Sequence, residues 1–315
     1  KMKLVVTFPV PQAAKELLSQ HAELQCWDIE DAIPVELLTE WLSDADGVLT
    51  TLTCPLGADV LGNAAQLKVI STVSVGVDHI DLSAAARHGI LVGHTPNVLT
   101  DSTADLALGL MLAVGRRIAE GDALIRAGAW SEGWKPNFLL GTDLSGATVG
   151  LVGMGPIGQA VAKRLQGFGC RILAWNRSQR TVKGVEFVDL DALFAASDIV
   201  SLHTALTAET HGMVGRSQLS QMRNGAILIN TARGALVDET ALSDELRAGR
   251  LRAGLDVYTE EPLPNTSALR GLPGCVVLPH VGSATQRTRQ AMFQLALANL
   301  MAGVTDSELP AAVRL

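Results

Sequence analysis

A glycine-rich segment in the middle of the chain has the residue types that bind nucleotide phosphates. The apolar run 148–152 leads into three glycines spaced as GxGxxG, and a helical pattern follows. The first glycine permits a tight turn, the second lets the backbone approach a pyrophosphate, and the third permits close helix-on-strand packing. The helix amino terminus adds amide donors and a favourable dipole. This context predicts dinucleotide binding rather than an ordinary glycine-rich turn. The candidate phosphate-binding residues are Gly153, Gly155, Pro156, Ile157 and Gly158.

The next predicted strand, 171–175, ends in three polar residues, Asn176, Arg177 and Ser178. They lie about 20 residues after the first glycine, where an NAD-specific site usually places Asp or Glu against the ribose. Asn176 is neutral, and Arg177 and Ser178 can bind a 2′-phosphate. The pattern therefore favours NADP(H) over NAD(H). The alternative is that Arg177 and Arg180 belong only to a solvated turn.

Charged residues follow three further predicted strands, in the segments 230–234, 254–262 and 278–284. Ligands bind at the carboxyl ends of the strands in sheets of this type, so Arg233, Glu261 and His280 are the candidate reactive side chains. Taken singly, each has a structural explanation: a surface cation, a turn residue before a proline and a strand-end histidine. Their occurrence together at one edge of a dinucleotide-binding sheet favours an active site.

The elements that position these residues alternate between strand-like runs and helical patterns, which is typical of a parallel sheet covered by helices on both faces. The fold class is α/β, with two doubly wound units. A single long helix is predicted over 101–127, opened by the capping-box pattern at 102–105. The predicted strands are 3–8, 45–49, 69–73, 90–92, 148–152, 171–175, 199–202, 226–229, 255–258 and 276–278, and further helices are predicted at 12–20, 35–43, 82–88 and 284–301.

Composition limits the function classes. At 315 residues the chain is long enough for two domains, and 48% hydrophobic residues provide material for packed cores. A formal net charge of −7 disfavours nucleic-acid binding. The four cysteines are scattered without a CxxC pair, so neither a disulfide framework nor a metal site is expected. No signal segment or apolar run long enough to span a membrane is found, which predicts a cytoplasmic enzyme.

Five motifs in order, including the segment 73–81, resemble the D-isomer-specific 2-hydroxyacid dehydrogenase family over about Gly47 to Ser283. Within it the chain looks most like the glyoxylate/hydroxypyruvate reductase branch, because of the 176–178 segment and the tryptophans Trp130 and Trp134 before the phosphate loop. Formate dehydrogenases resemble this family but have Gln where Glu261 stands. Glu261 also fits the family pattern better than Glu260, because the functional Glu directly precedes the proline.

The resemblance implies a role for each candidate reactive residue. His280 acts as the general acid when a 2-keto acid is reduced and as the base in the reverse reaction. Glu261 holds the imidazole by a hydrogen bond and favours its protonated form. Arg233 donates two hydrogen bonds to the substrate carboxylate and keto oxygen.

The resemblance also implies the binding residues. Backbone amides at Ser74, Val75 and Gly76 bind the substrate carboxylate, and Leu52 lines the pocket. Trp134 reaches the partner subunit's pocket, which implies a homodimer. From its position after the strand 199–202, His203 is expected to lie near the cofactor, whereas His79 and His94 are expected to be structural. The cofactor contacts implied beyond the phosphate loop and ribose site are Thr204, Thr231, Ala232, Asp256 and Gly282.

The family architecture implies a flavodoxin-like substrate-binding domain formed by residues 1–97 and 285–315. A Rossmann-type dinucleotide-binding domain, residues 98–284, is inserted into it, with the active site in the cleft. Two alternatives stay open: an NAD-dependent dehydrogenase of another small acid, such as phosphite or an aryl pyruvate, and a non-catalytic dinucleotide sensor. Glyoxylate, hydroxypyruvate, 2-ketogluconate and hydroxyphenylpyruvate all fit as substrates.

Overall fold

A computed structural model describes residues 2–178 and 180–314. The chain forms two compact units, one made of Lys1–Leu99 with Thr285–Leu315 and the other of Thr100–Ala284. Each unit contains a sheet whose named strands all pair in parallel. The predicted fold class, two doubly wound parallel-sheet units, is confirmed. The predicted divisions follow residues 97 and 284, and the observed ones follow Leu99 and Ala284.

The first unit has a five-stranded sheet in the order β2-β1-β3-β4-β5, the flavodoxin-like order. Its elements are β1 Lys3–Val6, α1 Gln12–Ser19, β2 Glu23–Cys26, α2 Val35–Leu42, β3 Gly47–Thr50, α3 Ala58–Gly62, β4 Val69–Thr72, α4 Leu82–Arg87, β5 Leu91–Gly93 and the last helix of the chain, α11 Gln286–Val304.

The last helix completes this unit because it covers one face of the sheet. Ala296, Leu300 and Val304 of α11 share a buried cluster with residues of β1, β3 and β4. A Cβ built on Gly303 would lie only 2.5 Å from the Val69 Cβ, so the helix packs directly on β4. Helix α11 is therefore part of the core that β1, β3 and β4 form.

The second unit has a seven-stranded sheet in the order β12-β11-β10-β9-β6-β7-β8, which extends the Rossmann order by one strand. Its elements are α5 Thr100–Gly115, α6 Ile118–Arg126, β6 Thr148–Val152, α7 Pro156–Gln166, β7 Arg171–Trp175, β8 Glu186–Phe187, α8 Leu190–Ala196, β9 Ile199–Leu202, α9 Arg216–Gln221, β10 Ile227–Asn230, α10 Glu239–Arg247, β11 Arg252–Leu255 and β12 Cys275–Val277. No helix among the described residues is long and apolar enough to cross a membrane.

The single long helix predicted over 101–127 is wrong, because the chain breaks between α5 and α6. Arg117 adopts a left-handed conformation with φ of +54°. The returning chain packs against the end of α5, where the Thr142 amide donates to the Gly115 carbonyl oxygen at 2.8 Å. This contact satisfies a helix-terminal carbonyl and ends α5. The predicted capping box also fails, because α5 begins at Thr100 and Ser102 lies inside its first turn.

The other differences are one shifted strand and several elements that were not predicted. The strand predicted at 255–258 lies at Arg252–Leu255, so Asp256 follows it. The prediction omitted the strands β2 and β8 and the helices α3, α8, α9 and α10. Strand β2 is the edge strand of its sheet and its side chains are only partly buried, so it lacks the continuous apolar run of an interior strand.

Candidate active site

The candidate residues of the second unit lie in a row along the carboxyl edge of its sheet. The sheet order places the segments after β12, β11 and β10 side by side, followed by those after β9, β6 and β7. The charged candidates therefore occupy three neighbouring strand ends, and the glycine loop lies two strands further along. In that order the candidates are His280, Glu261, Arg233, Thr204, Gly153 and Asn176.

The glycine loop is closely packed at Gly153 and Gly158 and open at Gly155. Gly153 has a φ of +98°, and a Cβ there would lie 2.6 Å from the His203 carbonyl oxygen. A Cβ on Gly158 would lie 2.1 Å from the Gly153 oxygen, whereas a Cβ on Gly155 would meet nothing within 4 Å. The loop therefore leaves free space at Gly155, immediately before Pro156 opens α7. An anion in that space would meet backbone amides and the positive end of the helix dipole.

Asn176 ties this loop to the end of β7. Its Oδ1 accepts a hydrogen bond from the Met154 amide at 3.0 Å. Its Nδ2 donates to the Ser178 carbonyl oxygen at 2.9 Å and to the Ser178 Oγ at 3.1 Å. Arg177 and Ser178 are exposed. The Asn176 side chain thus holds the turn in shape, and Arg177 is the exposed cation beside it.

The segment after β10 holds Arg233 half-buried. Asn230, which is buried, donates from Nδ2 to the Arg233 carbonyl oxygen at 2.8 Å and accepts from the Ala232 amide at 3.0 Å. On the other side of the segment, a Cβ on Gly234 would lie 1.8 Å from the Tyr258 carbonyl carbon. The arginine backbone is therefore held between a buried side chain and the neighbouring segment.

Glu261 and His280 form a direct pair. The Nδ1 of His280 lies 2.7 Å from Oε2 of Glu261, and the Tyr258 amide donates to Oε1 of the same carboxylate at 3.0 Å. An ionised carboxylate only accepts hydrogen bonds, so Nδ1 carries the proton of this contact. The other ring nitrogen, Nε2, is therefore the atom available for proton exchange.

The Glu261 carboxyl also feels the positive charge of Arg233. Burial pulls its pKa upward, but the hydrogen bond and charge of His280, the Tyr258 amide and the charge of Arg233 together hold this pKa below its ordinary value. Glu261 is therefore ionised at neutral pH. The structure brings Arg233, Glu261 and His280 into one electrostatic group.

Asp256 fixes the backbone that follows His280. Its two carboxylate oxygens accept hydrogen bonds from the amides of Val281 and Gly282, both at 2.8 Å. His280 itself has a φ of +54°, a left-handed conformation that is uncommon for residues other than glycine. Burial raises the pKa of the Asp256 carboxyl, while the two amides counteract this rise. Asp256 and Gly282, both expected to contact cofactor, thus also shape the histidine segment.

Asn230 and Tyr258 lie in the segments 230–234 and 254–262, and the sequence pattern predicts no role for either. Tyr258 is the single tyrosine of the chain, and its hydroxyl lies 2.8 Å from the Leu278 oxygen and 3.2 Å from the Leu255 oxygen. It therefore links the ends of β11 and β12. The only sequence signal for this role is that tyrosine carries a hydroxyl group. This signal is weak, because aromatic residues often pack in cores without polar roles.

The candidates of the first unit lie at the carboxyl ends of β3 and β4. Leu52 follows β3 and is half-buried. The Ser74 side chain donates to the Gly76 oxygen at 2.8 Å, and His94 Nδ1 lies 2.9 Å from the Val75 oxygen. The Ser74 hydroxyl is thus used within its own loop. This fits an expectation that backbone amides, rather than this side chain, face a ligand.

The remaining candidates are spread over the second unit. Trp134 is 85% exposed, while Thr231 is buried and its Oγ1 finds no hydrogen-bond partner within residues 2–178 and 180–314. The four cysteines are free thiols. Over the same part of the chain, no group of three or more His, Cys, Asp or Glu side chains is arranged to bind a metal ion.

The Rossmann-type sheet and the open glycine loop at its carboxyl edge are those of a dinucleotide-binding α/β protein. Arg233, Glu261 and His280 lie at the same edge of this sheet. A family model, "D-isomer specific 2-hydroxyacid dehydrogenase, NAD binding domain", matches residues 108–282. This chain belongs to the D-isomer specific 2-hydroxyacid dehydrogenase family.

Similar proteins cover nearly the whole chain. A glyoxylate reductase of Thermococcus litoralis is 43% identical over 318 aligned positions, covering 98% of this chain and 96% of the relative. The crystal structure of the TT0316 protein of Thermus thermophilus is 46% identical with a TM-score of 0.92, covering 99% of this chain and 100% of that one. An NADPH-dependent glyoxylate/hydroxypyruvate reductase of Sinorhizobium meliloti, solved with NADP and malonate, is 34% identical with a TM-score of 0.89, covering 99% and 96%.

His203 follows β9 beside the glycine loop, and its Nε2 lies 2.9 Å from the Ser201 hydroxyl. Burial lowers the pKa of its imidazole from 6.5 to about 4. With a lowered pKa, the contribution of His203 to the free energy of unfolding is fully present above pH 6.5. It is lost as the pH falls towards 4, because the imidazole takes up its proton at a higher pH in the unfolded chain than in the folded protein.

We expect His203→Gln to reduce the acid sensitivity of the protein. Between pH 6.5 and 4, His203 contributes a loss of at most about 3 kcal/mol in the free energy of unfolding, which the variant would not show. Urea unfolding across this pH range measures the difference, with the exposed His21→Gln as control. If the free energy of unfolding depends on pH equally in wild type and His203→Gln, His203 does not have the lowered pKa.

Proposed function

We propose that this protein reduces small 2-keto acids, such as glyoxylate or hydroxypyruvate, to D-2-hydroxy acids with NADPH as hydride donor. The observation that carries the proposal is the His280–Glu261 pair, 2.7 Å apart, with Arg233 in the adjacent segment. The names of the Thermococcus and Sinorhizobium relatives support the same reaction.

The residues present fit a dinucleotide. Free space at Gly155 and the start of α7 suits a pyrophosphate, whose negative charge the helix amides would bind. The buried Thr231 Oγ1, without a partner among the described residues, is a polar group that a nicotinamide amide would satisfy. Other proposed contacts of the same half of the cofactor are Thr204, Ala232, Asp256 and Gly282.

When bound, the dihydronicotinamide supplies a hydride to the keto carbon. His280 donates a proton from Nε2 to the oxygen that becomes the hydroxyl, while its Nδ1 stays bound to Glu261. The ionised Glu261 fixes the ring orientation and stabilises the imidazolium before the proton is transferred. Oxidation of the hydroxy acid uses the same atoms in reverse, with Nε2 accepting the proton.

Arg233 is proposed to bind the substrate. A guanidinium can donate two parallel hydrogen bonds, so Arg233 can fix the carboxylate and polarise the keto oxygen at which negative charge develops. In the first unit, we assign carboxylate binding to the backbone amides of Ser74, Val75 and Gly76, with Leu52 lining the pocket. These roles explain why a keto acid rather than a neutral ketone is the expected substrate.

We expect purified protein to oxidise NADPH in the presence of at least one 2-keto acid. Initial rates with glyoxylate, hydroxypyruvate, 2-ketogluconate, hydroxyphenylpyruvate and oxaloacetate would rank the substrates. Arg233→Ala should lower kcat/KM about 100-fold or more, because a preorganised donor at the reacting oxygen is lost. Its affinity for NADPH, measured by fluorescence, should change little.

Three outcomes would count against this assignment. Tight NADPH binding without turnover would favour a non-catalytic dinucleotide sensor. Equal loss of NADPH binding and turnover in Arg233→Ala would make Arg233 a cofactor residue. Turnover with none of these acids but with another small acid would place the protein elsewhere in the family.

NADPH preference is proposed from the end of β7. Asn176 is neutral where NAD-specific sites usually carry an acid, and Arg177 next to it is an exposed cation. Its charge reaches the segment after β9: the pKa of the Glu209 carboxyl is lowered mainly by a hydrogen bond from Thr207, and Arg177 adds to this lowering. Ser178 offers a hydroxyl beside it. A 2′-phosphate at this edge would therefore meet one exposed cation and one donor.

We expect Arg177→Ala to raise the KM for NADPH about tenfold while leaving the KM for NADH nearly unchanged, because only NADPH carries the 2′-phosphate. Steady-state kinetics with both cofactors measures the ratio. Arg171→Ala is the matched control, since Arg171 begins the same strand at its amino end. An equal effect on both cofactors would remove Arg177 from the specificity site.

We further propose a homodimer in which Trp134 of one subunit reaches the partner's substrate pocket. Trp134 is 85% exposed, and Trp130, Phe138 and Leu140 close to it are exposed as well. None of the residues of α6, which precedes this segment, is buried. Several large apolar side chains exposed within a short stretch of sequence are the composition expected of an interaction surface.

We expect sedimentation to give twice the mass of one chain. Trp134→Ala should keep that mass and the affinity for NADPH but raise the KM for the keto acid, because only the substrate pocket loses a wall. A monomeric wild type would contradict the dimer. An unchanged KM in a dimeric Trp134→Ala would contradict the role of Trp134 in the partner's pocket.

A further inference from the structure

We infer that Asn230 is a positioning residue for Arg233, acting through the backbone of the segment that carries the arginine; the inference rests on the proposed function. Asn230 is the last residue of β10 and is 1% exposed. It is not expected to touch substrate or cofactor. Its whole polar side chain is instead used on the three residues that follow it.

The backbone of Asn230 is held in place by its two neighbouring strands. In the sheet it pairs with Leu202 of β9 and with Leu255 of β11, so it has a strand on each side. Its carbonyl oxygen also accepts from the Asp256 amide at 2.9 Å. A residue held by both neighbouring strands in the interior of a sheet has little freedom to move.

The Asn230 side chain then binds the segment that carries Arg233 at two points. Oδ1 accepts from the Ala232 amide at 3.0 Å, and Nδ2 donates to the Arg233 carbonyl oxygen at 2.8 Å. Asparagine is suited to this task because one side chain supplies both an acceptor and a donor. Neither aspartate, which lacks the donor at neutral pH, nor serine, which is too short to bridge both groups, can reproduce the pair.

The opposite side of the segment is also closed. A Cβ on Gly234 would lie 1.8 Å from the Tyr258 carbonyl carbon, so Gly234 packs against the peptide that leads to Glu261. Arg233 lies between these two constraints. Loss of the Asn230 hydrogen bonds leaves one side of the arginine backbone free to shift, and small errors in the placement of a reacting group cost large factors in rate.

The test compares Asn230→Ser and Asn230→Asp with wild type. In both we expect kcat/KM for the keto acid to fall about tenfold, since the arginine fork is misplaced. The inhibition constant of oxamate, a carboxylate analogue of the substrate, should rise by a similar factor. The dissociation constant of NADPH should change less than about threefold, because the phosphate loop is untouched and only the proposed contacts at Thr231 and Ala232 lie in the altered segment.

The control is Ser197→Ala, which removes another buried side-chain hydrogen bond in the same unit, from Oγ to the Leu193 oxygen at 2.7 Å. It should lower stability without changing kcat/KM or oxamate inhibition. If the Asn230 variants lose only stability and keep wild-type kinetic constants, Asn230 is merely structural. Should Asn230→Asp fail to fold because of its buried charge, the uncharged Asn230→Ser still gives the result.

A double-mutant cycle separates action through Arg233 from a direct effect. In an Arg233→Lys background the paired donation is already lost, so Asn230→Ser should reduce kcat/KM by less than about twofold. A full tenfold loss in that background would overturn the inference. Wild-type turnover is measured first: a wild type without any keto-acid reduction contradicts the proposed function, whereas active wild type with unaffected Asn230 variants contradicts this inference alone.

Discussion

The geometry of the candidate site depends on the buried carboxylate of Asp256. Each of its oxygens accepts one amide hydrogen bond, from Val281 and from Gly282, and these bonds hold the chain that leaves His280. The left-handed conformation of His280 costs on the order of 1 kcal/mol or more. The two hydrogen bonds to Asp256 hold the residues that follow His280 and so favour this conformation. With the backbone so held, the imidazole meets Glu261, and the carboxylate in turn lies near Arg233.

Much of the second unit follows from local sequence. Strands β6, β7 and β9 occur at their predicted bounds, because interior strands of a parallel sheet are covered on both faces and read as short apolar runs. The spacing of Gly153, Gly155 and Gly158 predicted a turn into a helix, and α7 begins at Pro156. The common edge of the charged segments follows from the sheet type alone, since parallel strands end on the same side.

Other features depend on contacts between distant residues, which one sequence does not display. The break after α5 depends on the return of Thr142 to the Gly115 carbonyl. Gly115 and the two arginines after it are a weak local signal, because a single glycine is also tolerated within a helix. The early end of β11 arises because Asp256 turns to the amides after β12, although Val257 and Tyr258 are buried like strand residues. Asn230 looks like an ordinary polar strand end, and its role becomes visible only when both of its partners are placed.

The discontinuous first unit has a consequence for synthesis of the chain. Helix α11, which packs on β3 and β4, is encoded after the whole second unit. During translation, one face of the first unit's sheet therefore stays uncovered until α11 is synthesised. The second unit is complete in sequence before that point and can fold earlier. Translation that ends before Gln286 would give a polypeptide with a complete dinucleotide-binding unit and a first unit whose sheet exposes an apolar face. Such a product is a natural target for chaperones and proteases.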